Sequence, residues 1–140
     1  MYIVNIKIGD KTLHLLYNIE AMFEIYDRFK TTDKDGEHKP DLSELSSAQT
    51  KESFQNLCAL AAIMAEQGEM YRRYRGKDPE AIPTEEDIKM CCGIKDYYSL
   101  RTAIMKAAAE GLKQETGDKD AEIDIGLLEL KKKKGSKKPK

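Results

Sequence analysis

Apolar and polar positions alternate at the start of the chain. Tyr2, Val4, Ile6 and Ile8 are set against Asn5 and Lys7, the period-2 signature of a half-buried strand. Gly9 and Asp10 supply a turn, and Leu13 and Leu15 continue the alternation, so the spacing predicts a β-hairpin. A two-stranded hairpin is marginal alone and has to pack on helices or on another subunit. The period then changes. Ile19, Met22, Phe23, Tyr26 and Phe29 form one apolar stripe, predicting a helix over 18–30 with Asn18 as N-cap and Glu20 in its first turn. A second stripe runs through Phe54, Leu57, Cys58, Ala61, Met64, Ala65 and Gly68, predicting a helix over about 50–75 whose small residues allow close approach of a neighbour. Thr84, the acids after it and Gly93 bracket a short helix. Tyr97, Leu100, Ile104, Ala107, Ala108 and Gly111 mark the last strong one, over about 96–114, with Asp96 as its cap.

These elements predict a mostly α fold in which the N-terminal β-hairpin packs on a small helical bundle. The domain is expected to cover residues 1–117. Residues 118–140, acidic and then basic, read as a flexible, disordered tail.

Charge sharpens this division. The formal net charge is −1, but residues 131–140 contain seven lysines and no acid, so the body carries −8. Nucleic-acid binders usually present a basic face on a folded element. A basic tip on an acidic body offers only salt-sensitive attraction to phosphate, and no specific nucleic acid is expected as a partner. Arg72, Arg73 and Arg75 in "YRRYR" sit where a helix dipole favours cations, and capping accounts for them. No apolar run reaches the roughly 18–20 residues of a membrane span, and "MYIVNIKIGDK" lacks the pattern of a secretory leader. Three cysteines, two of them adjacent, fit a reducing compartment.

Candidate chemistry is sparse. The "DKDG" loop invites comparison with a calcium-binding hand. Aligning Gly36 with the loop glycine of that motif puts Thr31 first and Leu42 twelfth, where acids are required. His14 and His38 lack metal-ligand spacing to any Cys or His partner, and Cys91–Cys92 is not a CxxC pair. There is no phosphate loop, HExxH or GxSxG. The expectation is a binding protein without catalytic residues, metal or cofactor. The candidate partner-binding patch is Ile123, Ile125, Leu127, Leu128 and Leu130, which either docks on a partner or folds onto its own domain.

The order of segments carries a resemblance. A hairpin leads into "LLYNIEAMFEIYDRF", then come "ALAAIMAEQGEMYRRYRG", "PTEEDI", "DYYSLRTAIMKAAAEGL" and finally "EIDIGLLELKKKK". This order resembles the tail assembly chaperones of long-tailed (siphovirus-type) phages and prophages of Gram-positive bacteria. The resemblance implies a non-enzymatic role in virion morphogenesis, in the host bacterium's cytoplasm. Its implied partners are the tape-measure protein and the tail-tube protein, with a homo-oligomer also open. Many such chaperones are made in a second, longer form by ribosomal frameshifting, and a lysine run can reflect an adenine-rich message. The alternative reading is a small nucleic-acid-associated protein that uses "YRRYR" and the lysine tail.

Overall fold

The computed structural model describes residues 2–113 and 121–125, with residues 121–124 as backbone only. The first hairpin joins β1, Tyr2–Ile8, to β2, Lys11–Leu15. Its antiparallel register pairs Val4 with Leu15, Ile6 with Leu13 and Ile8 with Lys11. Gly9, at φ 60°, takes the left-handed conformation that the two-residue turn demands. Val4, Ile6, Ile8, Leu13 and Leu15 are buried in the core.

Helix α1, Ile19–Phe29, starts where the Asn18 side chain accepts a hydrogen bond from the Ala21 amide at 2.9 Å. The loop that follows holds more structure than its turn residues suggested. A small hairpin pairs β3, Thr31–Asp33, with β4, Gly36–His38. One turn of helix, α2, Leu42–Leu45, is capped by Asp41. In "DKDG" the Asp33 carboxylate accepts from the Asp35 amide at 2.8 Å, and Gly36 at φ 114° makes the turn.

Helix α3, Lys51–Tyr74, is the longest element and packs across β2 and against the other helices. Helix α4, Glu85–Cys91, opens on a capping box between Thr84 and Asp87. Helix α5, Asp96–Leu112, packs on β1. Its expected cap is absent: Lys95 is the N-cap without a side-chain bond, and Asp96 instead accepts from the Gly93 amide at 2.8 Å. Leu57, Leu60 and Met64 of α3, Leu100 and Ile104 of α5, Ile25 of α1 and Ile88 of α4 join the sheet residues in one core. The expected fold class, mostly α with the N-terminal hairpin against a helical bundle, describes this architecture.

Close approach depends on two helical glycines. Gly68 of α3 lies against the His14 backbone, and Gly111 of α5 lies against the Tyr17 carbonyl. A side chain at either position would overlap main-chain atoms.

The fold differs from the expected one at the C-terminal end. A fifth strand, β5, Ala121–Asp124, pairs in parallel with β1, giving a three-stranded sheet of order β2-β1-β5. Tyr2 pairs with Ala121 and Asn5 with Asp124. A tail beginning at residue 118 is therefore too early a boundary. The physical reason is the open edge of β1, whose unpaired amides and carbonyls are satisfied by this strand. The rest of the expected tail, residues 118–120 and 126–140, lies outside the described residues.

Candidate docking groove

The expected partner patch is divided by the fold. The backbone of Ile123 pairs opposite Val4 in the sheet. The Ile125 side chain is buried in the protein's own core and presents nothing to a partner, because it fills space beside the sheet and helices. Leu127, Leu128 and Leu130 lie outside the described residues. The "YRRYR" cluster is also explained differently from simple capping. Glu69, only 2% exposed, accepts from Arg72 Nη1 at 2.7 Å, Arg73 Nε at 2.9 Å and the Glu80 amide at 2.8 Å. Arg72 Nη1 also donates to the Asp78 carbonyl, and Arg73 Nη2 to that of Glu80.

This network ties the end of α3 to the following loop and the sheet. Glu80 pairs with Arg72 at 3.1 Å and with His14 Nε2 at 2.8 Å, and His14 Nδ1 meets Asn5 Oδ1 at 2.7 Å. Burial pushes the Glu69 carboxyl upward, but the Glu80 amide and the two guanidiniums outweigh it, leaving the group below the ordinary glutamate value. Arg72 and Arg73 are thus committed to internal partners.

Two of the cysteines, Cys58 and Cys92, are similarly quiet. Burial pushes the Cys58 thiol up to about 12 and that of Cys92 to about 11, which removes thiolate character. His38 pairs with Asp33 across the small hairpin at 2.8 Å. Among the described residues no group of His, Cys, Asp and Glu could hold a metal ion. No helix among them is long and apolar enough to cross a membrane.

What remains is a groove between α1 and α5. The α1 stripe is only partly used by the core: Ala21 and Ile25 are buried, whereas Ile19 is 61% and Phe23 55% exposed. Met22, Phe23 and Tyr26 form one wall, Met105, Ala109 and Leu112 the other, and Pro40 and Leu42 close one end. The volume is about 950 Å³. A smaller hollow of about 320 Å³ continues it toward Tyr2, Ile19 and Gly111, sharing Tyr17, Met22 and Leu112. Leu112, at the junction, is 69% exposed.

An acidic ridge flanks this apolar surface. Glu20, Glu24 and Asp27 lie one residue round the helix from Ile19, Phe23 and Tyr26. Burial raises the Glu24 carboxyl above its usual range, and the neighbouring charges of Glu66 and Glu20 raise it further. The distal end of α1 is braced by Tyr26, whose hydroxyl donates to Glu37 at 2.7 Å. The sequence showed the α1 stripe without showing how much of it the core would cover. The available signal was its breadth, five large side chains on an 11-residue helix, more than one flank of a small domain can cover.

No family model matches the chain, and no curated protein or solved structure matches it either.

Proposed function

We propose that this protein is a tail assembly chaperone of a long-tailed phage or prophage, binding the tape-measure protein during tail morphogenesis in the host cytoplasm. The observation that carries the reading is the apolar α1–α5 groove and its adjoining hollow, with Ile19, Phe23 and Leu112 exposed along them. A tape-measure protein presents long apolar helical surface until the tail tube encloses it. A helix laid in the groove would match its apolar i, i+3, i+4 and i+7 positions to this surface. The acidic body keeps such a complex soluble. The energetics suit a temporary hold. Burying a large apolar side chain yields about 1.5–3 kcal/mol, and association costs at least about 4 kcal/mol. Three such side chains therefore give a contact weak enough to be surrendered to tail-tube subunits, and several copies along one client add up. The same reading includes the tail-tube protein as second partner and a longer frameshifted form.

The test is co-expression with the long helical protein encoded immediately downstream. The expected result is a soluble complex that Phe23→Asp and Leu112→Asp each abolish while the helical circular dichroism of this chain stays unchanged. A client equally soluble without this chain, or a complex indifferent to both substitutions, overturns the reading.

A further inference from the structure

Glu20, Glu24 and Asp27 recur at i, i+4 and i+7 on α1 and so share one face of that helix. At about 100° per residue, Asp27 stands about 40° round the helix from Phe23 and Glu20 about 60°. Asp27 itself lines the groove. The two cations at the end of α1 are turned to other partners, Arg28 to Glu85 at 2.9 Å and Lys30 to Glu37 at 3.5 Å. On α5, Lys106 and Lys113 are both held by Glu110, at 3.0 and 3.1 Å. Lys39 and Asp41 line the closed end as one charge of each sign. Among the described residues no ion pair neutralises Glu20, Glu24, Asp27 or the neighbouring Glu66. One lip of the apolar groove therefore carries uncompensated negative charge.

We propose that the groove selects a helix that is basic along one flank, with lysines or arginines at i, i+4 and i+7 lying over Glu20, Glu24 and Asp27 while its apolar stripe covers Phe23 and Leu112. As the chemistry of a client, this rests on the function proposed above. Two local costs sit side by side on α1. Ile19 and Phe23 are exposed, and like charges at i, i+4 destabilise a helix. Burial, and then the charges of Glu66 and Glu20, raise the Glu24 carboxyl, which records the second cost. A basic-flanked helix relieves both at once. Glu20 to Asp27 spans about 10 Å at about 1.5 Å per residue, or about two turns, so a client helix presents its cations at the same step. A neutral or acidic flank buries the same apolar area but leaves the ridge unpaired or repelled, so charge decides which helix is taken. Exposed ion pairs are individually weak, and these together give about a tenfold preference.

Titration of the full-length chain with fluorescent peptides, followed by anisotropy, tests this. The peptides share one amphipathic helical sequence and differ only in a flank of lysines, glutamines or glutamates. At low salt the lysine peptide is expected to bind about tenfold tighter than the glutamine peptide, with the glutamate peptide weakest. The difference should close in 1 M salt, where the screening length is about 3 Å. Phe23→Ser, at an exposed site, weakens the lysine and glutamine peptides alike. The triple variant Glu20→Gln, Glu24→Gln, Asp27→Asn, with helical circular dichroism intact, brings the lysine peptide down to the glutamine level. The control Asp10→Asn, Asp78→Asn, Glu86→Gln removes the same charge from exposed sites outside the groove and keeps the preference. Lysine and glutamine peptides that bind equally, both through Phe23, overturn the basic flank and leave helix docking standing. A lysine preference that survives the ridge variant, or that the control erases equally, also overturns it. So does a lysine peptide that fails to bind, and the co-expression test then decides the function by itself. A dimer that Phe23→Ser dissociates and that excludes the peptides would make a second copy the occupant and overturn the proposal.

Discussion

Replacing Gly68 by alanine is expected to destabilise the protein, although helix propensity alone argues for the reverse. Gly68 lies inside α3, where alanine is favoured over glycine by about 1 kcal/mol. An added Cβ, however, would stand 2.5 Å from the His14 carbonyl carbon and closer still to its oxygen. Ordinary carbon contacts lie near 3.5–4.0 Å. The obstacle is main chain, held in β2 by its ladder to β1, so no side-chain rotation relieves it. α3 must retreat by about 1 Å. That loosens the packing of α3 on β2, where Met64, Ala65, Leu13 and Leu15 are all fully or nearly fully buried. Overpacking of this kind costs about 1–3 kcal/mol, and a gap of this size forfeits a quarter to a half of the dispersion energy of the atoms facing it. Together these exceed the propensity gain, and the net loss is expected to be about 2 kcal/mol. Urea unfolding followed by circular dichroism at 222 nm gives the number. Gly68→Ala protein as stable as the parent, or more so, would refute the close approach of α3 to β2.

Leu57→Ala should cost about 2–5 kcal/mol because the side chain is fully buried, whereas Lys34→Ala, in the exposed turn of the small hairpin, should stay within about 0.5 kcal/mol; urea titration of the pair checks both. Glu69→Gln should cost about 1–3 kcal/mol at pH 7 by removing charge-assisted bonds from Arg72 and Arg73. Because the folded Glu69 carboxyl lies below its unfolded value, its contribution is complete above about pH 4.3 and is lost as pH falls through the lower folded value. The parent and Glu69→Gln stability curves should therefore converge in acid, and parallel curves down to pH 2 would refute the assignment. Sequence-specific DNA binding is not expected with −8 on the body. Any retention on a DNA column should vanish with raised salt, and retention that persists at physiological salt after all seven lysines are replaced by serine contradicts this. Recoding the lysine run with alternating AAA and AAG codons should remove a longer minor product of the native gene; its persistence on a gel would refute slippage.

The chain's period-2 and period-3.6 patterns determined the first hairpin, the four principal helices and the N-caps of α1 and α4, because backbone hydrogen bonding and one-sided burial act over a few residues. Asn18, Thr84 and the Gly9 turn are local devices whose partners lie within three positions. The same locality hid other features. β5 carries a readable alternation, Ala121, Ile123 and Ile125 against Glu122 and Asp124. Whether so short a strand forms, however, depends on an open edge of β1 more than 110 residues away. Asp96 misled for another reason: its bond to the Gly93 amide is as local as the true caps, but it runs from the first residue of α5 and leaves Lys95 in the cap position. "YRRYR" looked like an exposed basic end because Glu69 counts as one more helical acid until the fold buries it beneath Arg72 and Arg73. The groove was least legible of all. An apolar stripe states that a helix face avoids water, but only the placement of α5 and residues 39–43 around α1 decides how much of that face stays uncovered. Burial is a property of three-dimensional neighbours, and the residues that make Phe23 and Leu112 a surface lie far from both in the chain.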